Sequence, residues 1–249
     1  MVDPMTDTKR VALVTGAARG IGLEVTRQLA ALDLVVLAGV RDIDRAAEPL
    51  AALRAVGAEV HAIRLDVTDP SAILDAATQV EAHYGRLDIL VNNAGISVEA
   101  GRSPLDVDAD TVRQTYDTNV FGVVAVTHAF LPLLGRAEAG RIVNVSSAMG
   151  SLGEWSDPES PLVKFAPVAL AYNSSKTALN AITVAYAHAL RDTGVKINAA
   201  DPGYVATDLN GHSGYRTVEE GARIVVQLAT LPAEGPTGTF TSDFGAVPW

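Results

Sequence analysis

Short apolar runs alternate along this chain with longer stretches whose apolar positions return at helical spacing. The first run is Val11-Ala12-Leu13-Val14-Thr15, stopped by Gly16. Others lie at 34–38, 59–65, 87–91, 141–145 and 195–200, with a shorter one at 238–241. Runs of this length, bounded by Gly, Asp or Asn, predict buried strands. Between them, 20–32, 46–56, 70–85, 108–134, 171–191 and 218–231 predict helices. Pro70 sits where a helix's first turn accepts proline. Strands alternating with helices of this length predict an α/β fold, a doubly wound parallel sheet of about seven strands with helices on both faces. No repeat or low-complexity linker divides 1–249, so a single domain is expected.

That architecture says where chemistry belongs. In an open parallel sheet, ligands bind beyond the carboxyl ends of the strands. The residues just after each apolar run are therefore the candidates. After the first run comes Gly16-Ala17-Ala18-Arg19-Gly20-Ile21-Gly22. Glycines here let the backbone approach a pyrophosphate, and the following helix offers free N–H groups and a positive dipole end. The spacing is G-x-x-x-G-x-G, not the G-x-G-x-x-G of the general dinucleotide fingerprint. At the end of the second run, an acid would bind a ribose hydroxyl and an arginine a 2′-phosphate. The residues are Val40-Arg41-Asp42. Arg41 with Arg19 would fork a phosphate and favour NADPH. Asp42 is the competing reading, as a ribose ligand favouring NAD or as a helix N-cap.

Asn92-Asn93-Ala94-Gly95 follows the fourth run, and its amides would fix that strand end against a cofactor. Asn119 lies in mid-helix, where asparagine is unfavourable. Ser146 and Ser147 close the fifth run, and by alternation one of them faces the site. Tyr172 and Lys176 stand four apart on a helix, on one face. A free phenol ionises near pH ~10, and an ammonium held nearby lowers that value.

With these motifs together, the chain resembles the short-chain dehydrogenase/reductase family over nearly its whole length. The resemblance rests on Thr15-Gly16-x-x-x-Gly20-x-Gly22, Asn92-Asn93-Ala94-Gly95, Asn119, Ile142 to Ser147, Tyr172-x-x-x-Lys176 and Asp201-Pro202-Gly203-Tyr204-Val205-x-Thr207. It implies a Rossmann-type fold and a catalytic set of Asn119, Ser147, Tyr172 and Lys176. Tyr172 would donate the proton, Ser147 would hydrogen-bond the substrate oxygen, and Lys176 would bind the nicotinamide ribose and lower the tyrosine's pKa. Asn119 would hold a water in a proton relay. It also implies cofactor contacts at Gly16, Arg19, Gly20, Ile21, Gly22, Arg41, Asp66, Val67, Asn93, Ala94, Gly95, Tyr172, Lys176, Pro202, Gly203, Val205 and Thr207. The tail from Thr217 to Ala222 and from Leu231 to Gly238 is similar to the family's carbonyl-reductase-like branch. The expectation is an NADPH-dependent reductase of ketones or aldehydes. The alternatives are an NAD-linked alcohol or steroid dehydrogenase of the same family, and a dinucleotide-binding sensor without chemistry. Family members of this kind form homodimers or tetramers, or stay monomeric when an insertion covers the helical interface.

One departure stands out. Residues 148–171 are longer than the family's usual connection and show neither helical nor strand periodicity. Long loops are usually functional. Trp155 and Phe165, with Tyr204 from the 203–216 loop, are therefore candidate substrate contacts beside Ser147 and Tyr172, and His212 is a further candidate pocket residue.

Composition narrows the partners further. The formal net charge is −10. An acidic chain lacks the basic face that nucleic acid requires. There is no cysteine, which excludes disulfides and thiolate chemistry. The N-terminus carries acids and no apolar core of a signal peptide. No apolar run reaches, without interruption, the ~18–20 residues a membrane span needs. A cytoplasmic protein with a small-molecule carbonyl substrate is expected. Asp106-x-Asp108-x-Asp110 mimics a calcium loop but lacks its glycine and closing glutamate. The five histidines show no ligand spacing, so no metal site is expected.

Overall fold

The computed structural model describes residues 9–99 and 101–249, the side chain of Phe165 excepted. Strands β1 (Val11–Thr15), β2 (Val35–Val40), β3 (Val60–Arg64), β4 (Ile89–Asn92), β5 (Arg141–Val145), β6 (Lys196–Asp201), β7 (Phe240–Ser242) and β8 (Gly245–Ala246) form one sheet. Their order is β3-β2-β1-β4-β5-β6-β7-β8. All pairings from β1 to β7 are parallel, and β8 returns antiparallel to β7. The order reverses between β1 and β4, which opens the crevice where such sheets bind ligands.

The two-residue periodicity of the strands sorts their side chains onto two faces. Ala12, Val14, Val36, Ala38 and Val143 face one core, covered by α1 (Gly20–Ala30), α2 (Ile43–Ala55) and α9 (Val218–Ala229). Val11, Leu13, Val35, Leu37 and Ile142 face the other, covered by α3 (Pro70–Tyr84), α5 (Val123–Leu134) and α8 (Leu170–Ala189). β1 is buried along its whole length, as a central parallel strand must be.

Several expectations change in detail. The sheet has eight strands where about seven were expected. β8 is only two residues long, too short to leave a periodic signal. The helix expected at 108–134 is continuous but not uniform. It runs as α4 (Ala109–Tyr116), a π-helical turn Asp117–Gly122, and then α5. This 26-residue helix is long and apolar enough to cross a membrane by length and composition, contrary to the reading of the sequence. Half of its most apolar window is buried against the rest of the protein, as in a core helix.

The 148–171 stretch is also more ordered than its pattern suggested. It contains a 3-10 turn, Ala148–Gly150, then α6 (Leu152–Ser156) and α7 (Pro161–Phe165). Each helix is built from local capping. The Ser151 hydroxyl accepts from Glu154 N–H, and the Ser160 hydroxyl accepts from Leu162 N–H ahead of a first-turn proline. Helices this short cannot complete two hydrophobic turns, so periodicity misses them.

Candidate active site

At the carboxyl edge of the sheet, β1, β4 and β5 present the glycine loop, the Asn93 segment and Ser147 to the start of α8. The loop after β1 is shaped by backbone contacts that leave no room for a side chain. Gly16 has φ +66°, and a Cβ there would lie 3.0 Å from Ala94 Cα. A Cβ on Gly22 would lie 2.4 Å from both the Gly16 carbonyl oxygen and Asn93 Nδ2. The residue before α1, Arg19, gives no side-chain cap. The N–H groups of Gly20, Ile21 and Gly22 therefore open the helix without a side-chain partner, as an anion-binding turn requires. This cradle fits a dinucleotide's pyrophosphate.

Asn92 and Asn93, expected to act together, are divided. Asn93 Nδ2 donates to the Thr15 carbonyl at 2.9 Å, and Asn93 N–H and Ala94 N–H both donate to Thr15 Oγ1 at 3.0 Å. These bonds hold the β4 end against the glycine loop. Asn92 points the other way, into a buried polar ladder. Its Nδ2 donates to Asn144 Oδ1 at 2.9 Å, and Asn144 Nδ2 donates to Thr183 Oγ1 on α8 at 2.8 Å. The alternation of side chains along a strand explains the split. It also separates Ser146, which donates to Asn180 Oδ1 inside the fold, from Ser147, which faces the site.

Tyr172 lies in the first turn of α8 and Lys176 one turn deeper. The Ser147 side chain neighbours the Tyr172 hydroxyl and favours its ionised form, while its Oγ accepts from Met149 N–H at 3.2 Å. Lys176 is buried, donates to the Val145 carbonyl at 2.8 Å, and lies 5.6 Å from the centre of the Tyr172 ring. A Cβ added to Gly95 would meet Lys176 Nζ at 3.7 Å and Asn119 Oδ1 at 3.5 Å, so the glycine keeps these groups together.

Burial dominates the electrostatics. It pushes the Tyr172 hydroxyl up to about 12, against the opposing influence of Ser147 and with the nearby Asp201 carboxylate adding to the rise. It pushes Lys176 down to about 8. The sequence implied a tyrosine lowered by its lysine; here desolvation raises it, and the opposing influence comes from Ser147. The phenol is thus protonated throughout the neutral range, the form a proton donor needs. Asp201 is buried as well, and its carboxyl is raised by desolvation.

Asn119 sits in the π-helical turn, fully buried. Its Oδ1 accepts from Ile96 N–H at 2.9 Å, and its Nδ2 donates to the Ile96 carbonyl at 2.9 Å and to Ser175 Oγ at 3.0 Å. Both amide hydrogens are spent on protein. The side chain therefore positions the cleft's floor, and a water relay at this residue would rest on its main chain.

The expected cofactor residues around β2 and β3 are less uniform. Arg41 is exposed just beyond β2. Arg19 is not turned toward it: Arg19 Nη1 lies 2.5 Å from Asp208 Oδ2, across a cleft lined by Gly20, Thr207 and His212. His212 Nε2 lies 2.7 Å from Asp208 Oδ1. Asp42 caps α2, accepting from the N–H groups of Asp44 and Arg45. Asp66 accepts from Thr68 N–H and Oγ1 in a turn, and Val67 packs beneath it, nearly buried.

The loop after β6 begins at Pro202-Gly203 and folds back so that Val205 bridges Arg216. Ala206 N–H donates to the Arg216 carbonyl at 2.9 Å. Arg216 is buried, ion-paired with Asp243 and stacked 5.4 Å from the Phe244 ring centre. Sequence reading missed it, because its partner lies on the β7–β8 turn. Tyr204 is half-exposed, bonded through its hydroxyl to Ser213, with its ring edge-on to Tyr215 at 6.1 Å. Trp155 Nε1 donates to the Met149 carbonyl at 2.8 Å, fixing an indole at the start of the long connection. The Phe165 side chain lies outside the described residues. Gly150 was also missed. A Cβ there would come within 2.6 Å of Lys176 Cβ, so only glycine lets this connection lie against α8 at Lys176.

Comparison with known proteins gives the family. The model of the short chain dehydrogenase family matches residues 10–217. (+)-Neomenthol dehydrogenase of Arabidopsis thaliana is 36% identical over 289 residues, covering 95% of this chain and 97% of the relative. Salutaridine reductase of Papaver bracteatum is 33% identical over 299 residues, covering 95% of this chain and 96% of the relative. Among solved structures, NADPH-bound carbonyl reductase from chicken fatty liver superposes with a TM-score of 0.84 at 32% identity, covering 97% of this chain and 99% of that one.

Proposed function

The chain belongs to the short-chain dehydrogenase/reductase family, and we propose that it is an NADPH-dependent reductase of ketones or aldehydes. The observation that carries this reading is the junction of the half-buried Ser147 and Tyr172 with the buried Lys176 at the carboxyl edge of the sheet, beside the glycine cradle. The likeness to a carbonyl reductase that binds NADPH supports it. So does the commitment of Asp42 to the α2 cap, which takes it away from the ribose role that would favour NAD.

The glycine loop, Asn93 and the loop 202–207 would hold the dinucleotide, with Arg41 and Arg19 reaching a 2′-phosphate. Bound there, NADPH supplies the hydride. The chain's own part is proton delivery. Ser147 and Tyr172 offer two hydroxyls to one carbonyl oxygen. Tyr172 donates its proton as negative charge grows on that oxygen, and such positioned acid catalysis contributes about 10²–10⁴-fold. Lys176, still cationic near neutrality, stabilises the phenolate left behind. Trp155, Tyr204 and the connection at 148–171 form the wall that selects the substrate.

Two measurements test this. NADPH is mixed with the full chain and a panel of cyclic and acyclic ketones and aldehydes, and loss of nicotinamide absorbance is followed. At least one should be reduced, and Tyr172→Phe should lower kcat by about 10²-fold or more while NADPH still binds. No turnover with any carbonyl, or full activity in Tyr172→Phe, would sink the proposal. The cofactor assignment falls separately if NAD binds as tightly as NADP, or if replacing Arg19 and Arg41 together leaves the preference intact.

A further inference from the structure

Tyr172 stands in the first turn of α8, the part of a helix that lacks its own backbone partners. The residue in the N-cap position is Ala169, which has no side chain able to accept a hydrogen bond. The cap comes from far away in sequence. Glu99, on the segment beyond β4, is 2% exposed. Its Oε2 accepts from Ala171 N–H at 3.0 Å, and its Oε1 accepts from Tyr172 N–H at 2.6 Å. One carboxylate thus takes the two N–H groups that a serine or aspartate N-cap would serve, separated by 72 and 73 positions. Its negative charge faces the positive end of a 20-residue helix.

We propose that Glu99 is the positioning residue of the catalytic tyrosine. It fixes where α8 begins relative to the β4 edge and so where the Tyr172 ring leaves the helix. The same segment is tied at Ile96 to Asn119, which bonds Ser175, whose Oγ donates to the Tyr172 carbonyl at 2.7 Å. Glu99 and Asn119 therefore grip the first turn from its N–H side and its carbonyl side. Lys176 lies a turn deeper, inside the regular hydrogen-bond ladder, and does not depend on this cap. Loss of Glu99 should let the tyrosine's turn fray while the lysine and the cofactor cradle stay in place. Fraying of an unsatisfied terminus is a local opening, not global unfolding.

This inference rests on the reductase reading for its kinetic arm and carries one arm that does not. Three variants of the full chain are compared with wild type: Glu99→Gln, Glu99→Ala, and Glu99→Ala with Ala169→Asp. The last supplies a local cap at a residue already in extended geometry, φ −112° and ψ 99°. With NADPH and a reduced ketone from the panel, Glu99→Ala should lower kcat on the order of 10- to 100-fold, the scale of a small misplacement of a catalytic group. Its Kd for NADPH should stay within about 3-fold, about 0.6 kcal/mol and well under one hydrogen bond's net worth. Glu99→Gln, isosteric and retaining one acceptor, should fall between and guards against failure to fold. Ala169→Asp should restore part of kcat. Independently of any turnover, hydrogen exchange at residues 171–173 should quicken in Glu99→Ala and slow again in the double variant. A kcat within 2-fold of wild type, parallel loss of kcat and NADPH affinity, or unchanged exchange at 171–173 each overturns the positioning role. A wild type that reduces no carbonyl overturns the reductase reading alone and leaves the exchange arm to decide this one.

Discussion

Around Gly22 and around Trp155 the chain meets the same cleft in opposite ways. The cofactor side is made of backbone. Gly16 and Gly22 bring main chain within contact of main chain, and Asn93 and Thr15 stitch β4 to the glycine loop with bonds of 2.9–3.0 Å. The side proposed to meet the substrate is made of side chains held in irregular chain. Trp155 hangs from the Met149 carbonyl, and Tyr204 leans on Ser213 and Tyr215. A backbone surface recognises what every dinucleotide shares. A surface of side chains on short capped helices can change residue by residue without disturbing the sheet. The difference predicts that substitutions on the two sides fail differently: all-or-none on the first, graded on the second.

Gly22→Ala should show the largest effect. The added methyl would lie 2.4 Å from the Gly16 carbonyl oxygen, and no rotamer change can relieve a clash with backbone. Overpacking of this kind costs about 1–3 kcal/mol. Because the loop that must move is the pyrophosphate cradle, dinucleotide affinity should drop about 10-fold or more. Thermal melting should fall by about 5 °C, from about 2–4 °C per kcal/mol at this chain length. A contrasting test is Gly153→Ala on the substrate side, where the nearest obstacle is the Pro248 side chain at 2.9 Å. Dinucleotide affinity should stay near wild type there, while melting falls, because the proline ring and the Trp249 carbonyl oxygen at 3.2 Å must give way. Equal losses of affinity in the two variants would erase the distinction between the two walls.

The same distinction explains which features are legible in the sequence. Strands β1 and β5 were legible residue for residue, because buried parallel strands write themselves as unbroken apolar runs. Tyr172 and Lys176 were legible as a pair from helical spacing, whereas strand-end position left Ser146 and Ser147 open and only the family resemblance singled out Ser147. Glu99, Gly150 and Arg216 were not. Each acts through a partner distant in sequence, on α8 for the first two and on the β7–β8 turn for the third. Neither periodicity nor spacing records such a contact. The short helices α6 and α7 were missed for a different reason: local capping, not an apolar stripe, builds them. The lowering of the tyrosine's pKa was implied by charge alone, and burial, which sequence does not display, reverses it.

A pH series separates Tyr172 from Lys176. Tyr172, near 12, keeps its proton through the working range, whereas Lys176, near 8, does not. Ketone reduction at saturating substrates should therefore decline as pH rises through about 8, when Lys176 loses its charge. Stability should move the other way. The unfolded lysine titrates at its ordinary 10.5, so between about 8 and 10.5 the unfolded chain holds a proton that the folded chain has released. In that window stability rises with pH, and below it the cost of burying the charge is fully present. Lys176→Arg keeps its charge throughout and should abolish the alkaline decline in rate, at a lower maximum. A wild-type profile flat to pH 10, or a decline retained in Lys176→Arg, would assign the limb to another group.

The smallest expected effect lies where the two walls touch. Arg19 of the glycine loop and Asp208 of the substrate-side loop form an ion pair at 2.5 Å, with side chains 75% and 44% exposed. Asp208 also faces His212. A pair so open to solvent is worth only about 0–1 kcal/mol, so it joins the walls without locking them. If Arg19 is shared between Asp208 and a cofactor phosphate, binding must first release it. Asp208→Asn removes that competition. The affinity for NADP should then rise, but by no more than about 5-fold, the equivalent of 1 kcal/mol, and NAD affinity should not change. The gain should shrink at high salt, which screens exposed pairs in wild type and leaves less to remove. Titration of both cofactors at two ionic strengths checks this. Weaker NADP binding in Asp208→Asn would mean that the carboxylate holds Arg19 in its binding pose. The substrate-side loop would then belong to the cofactor wall, and the boundary between the two would lie beyond His212.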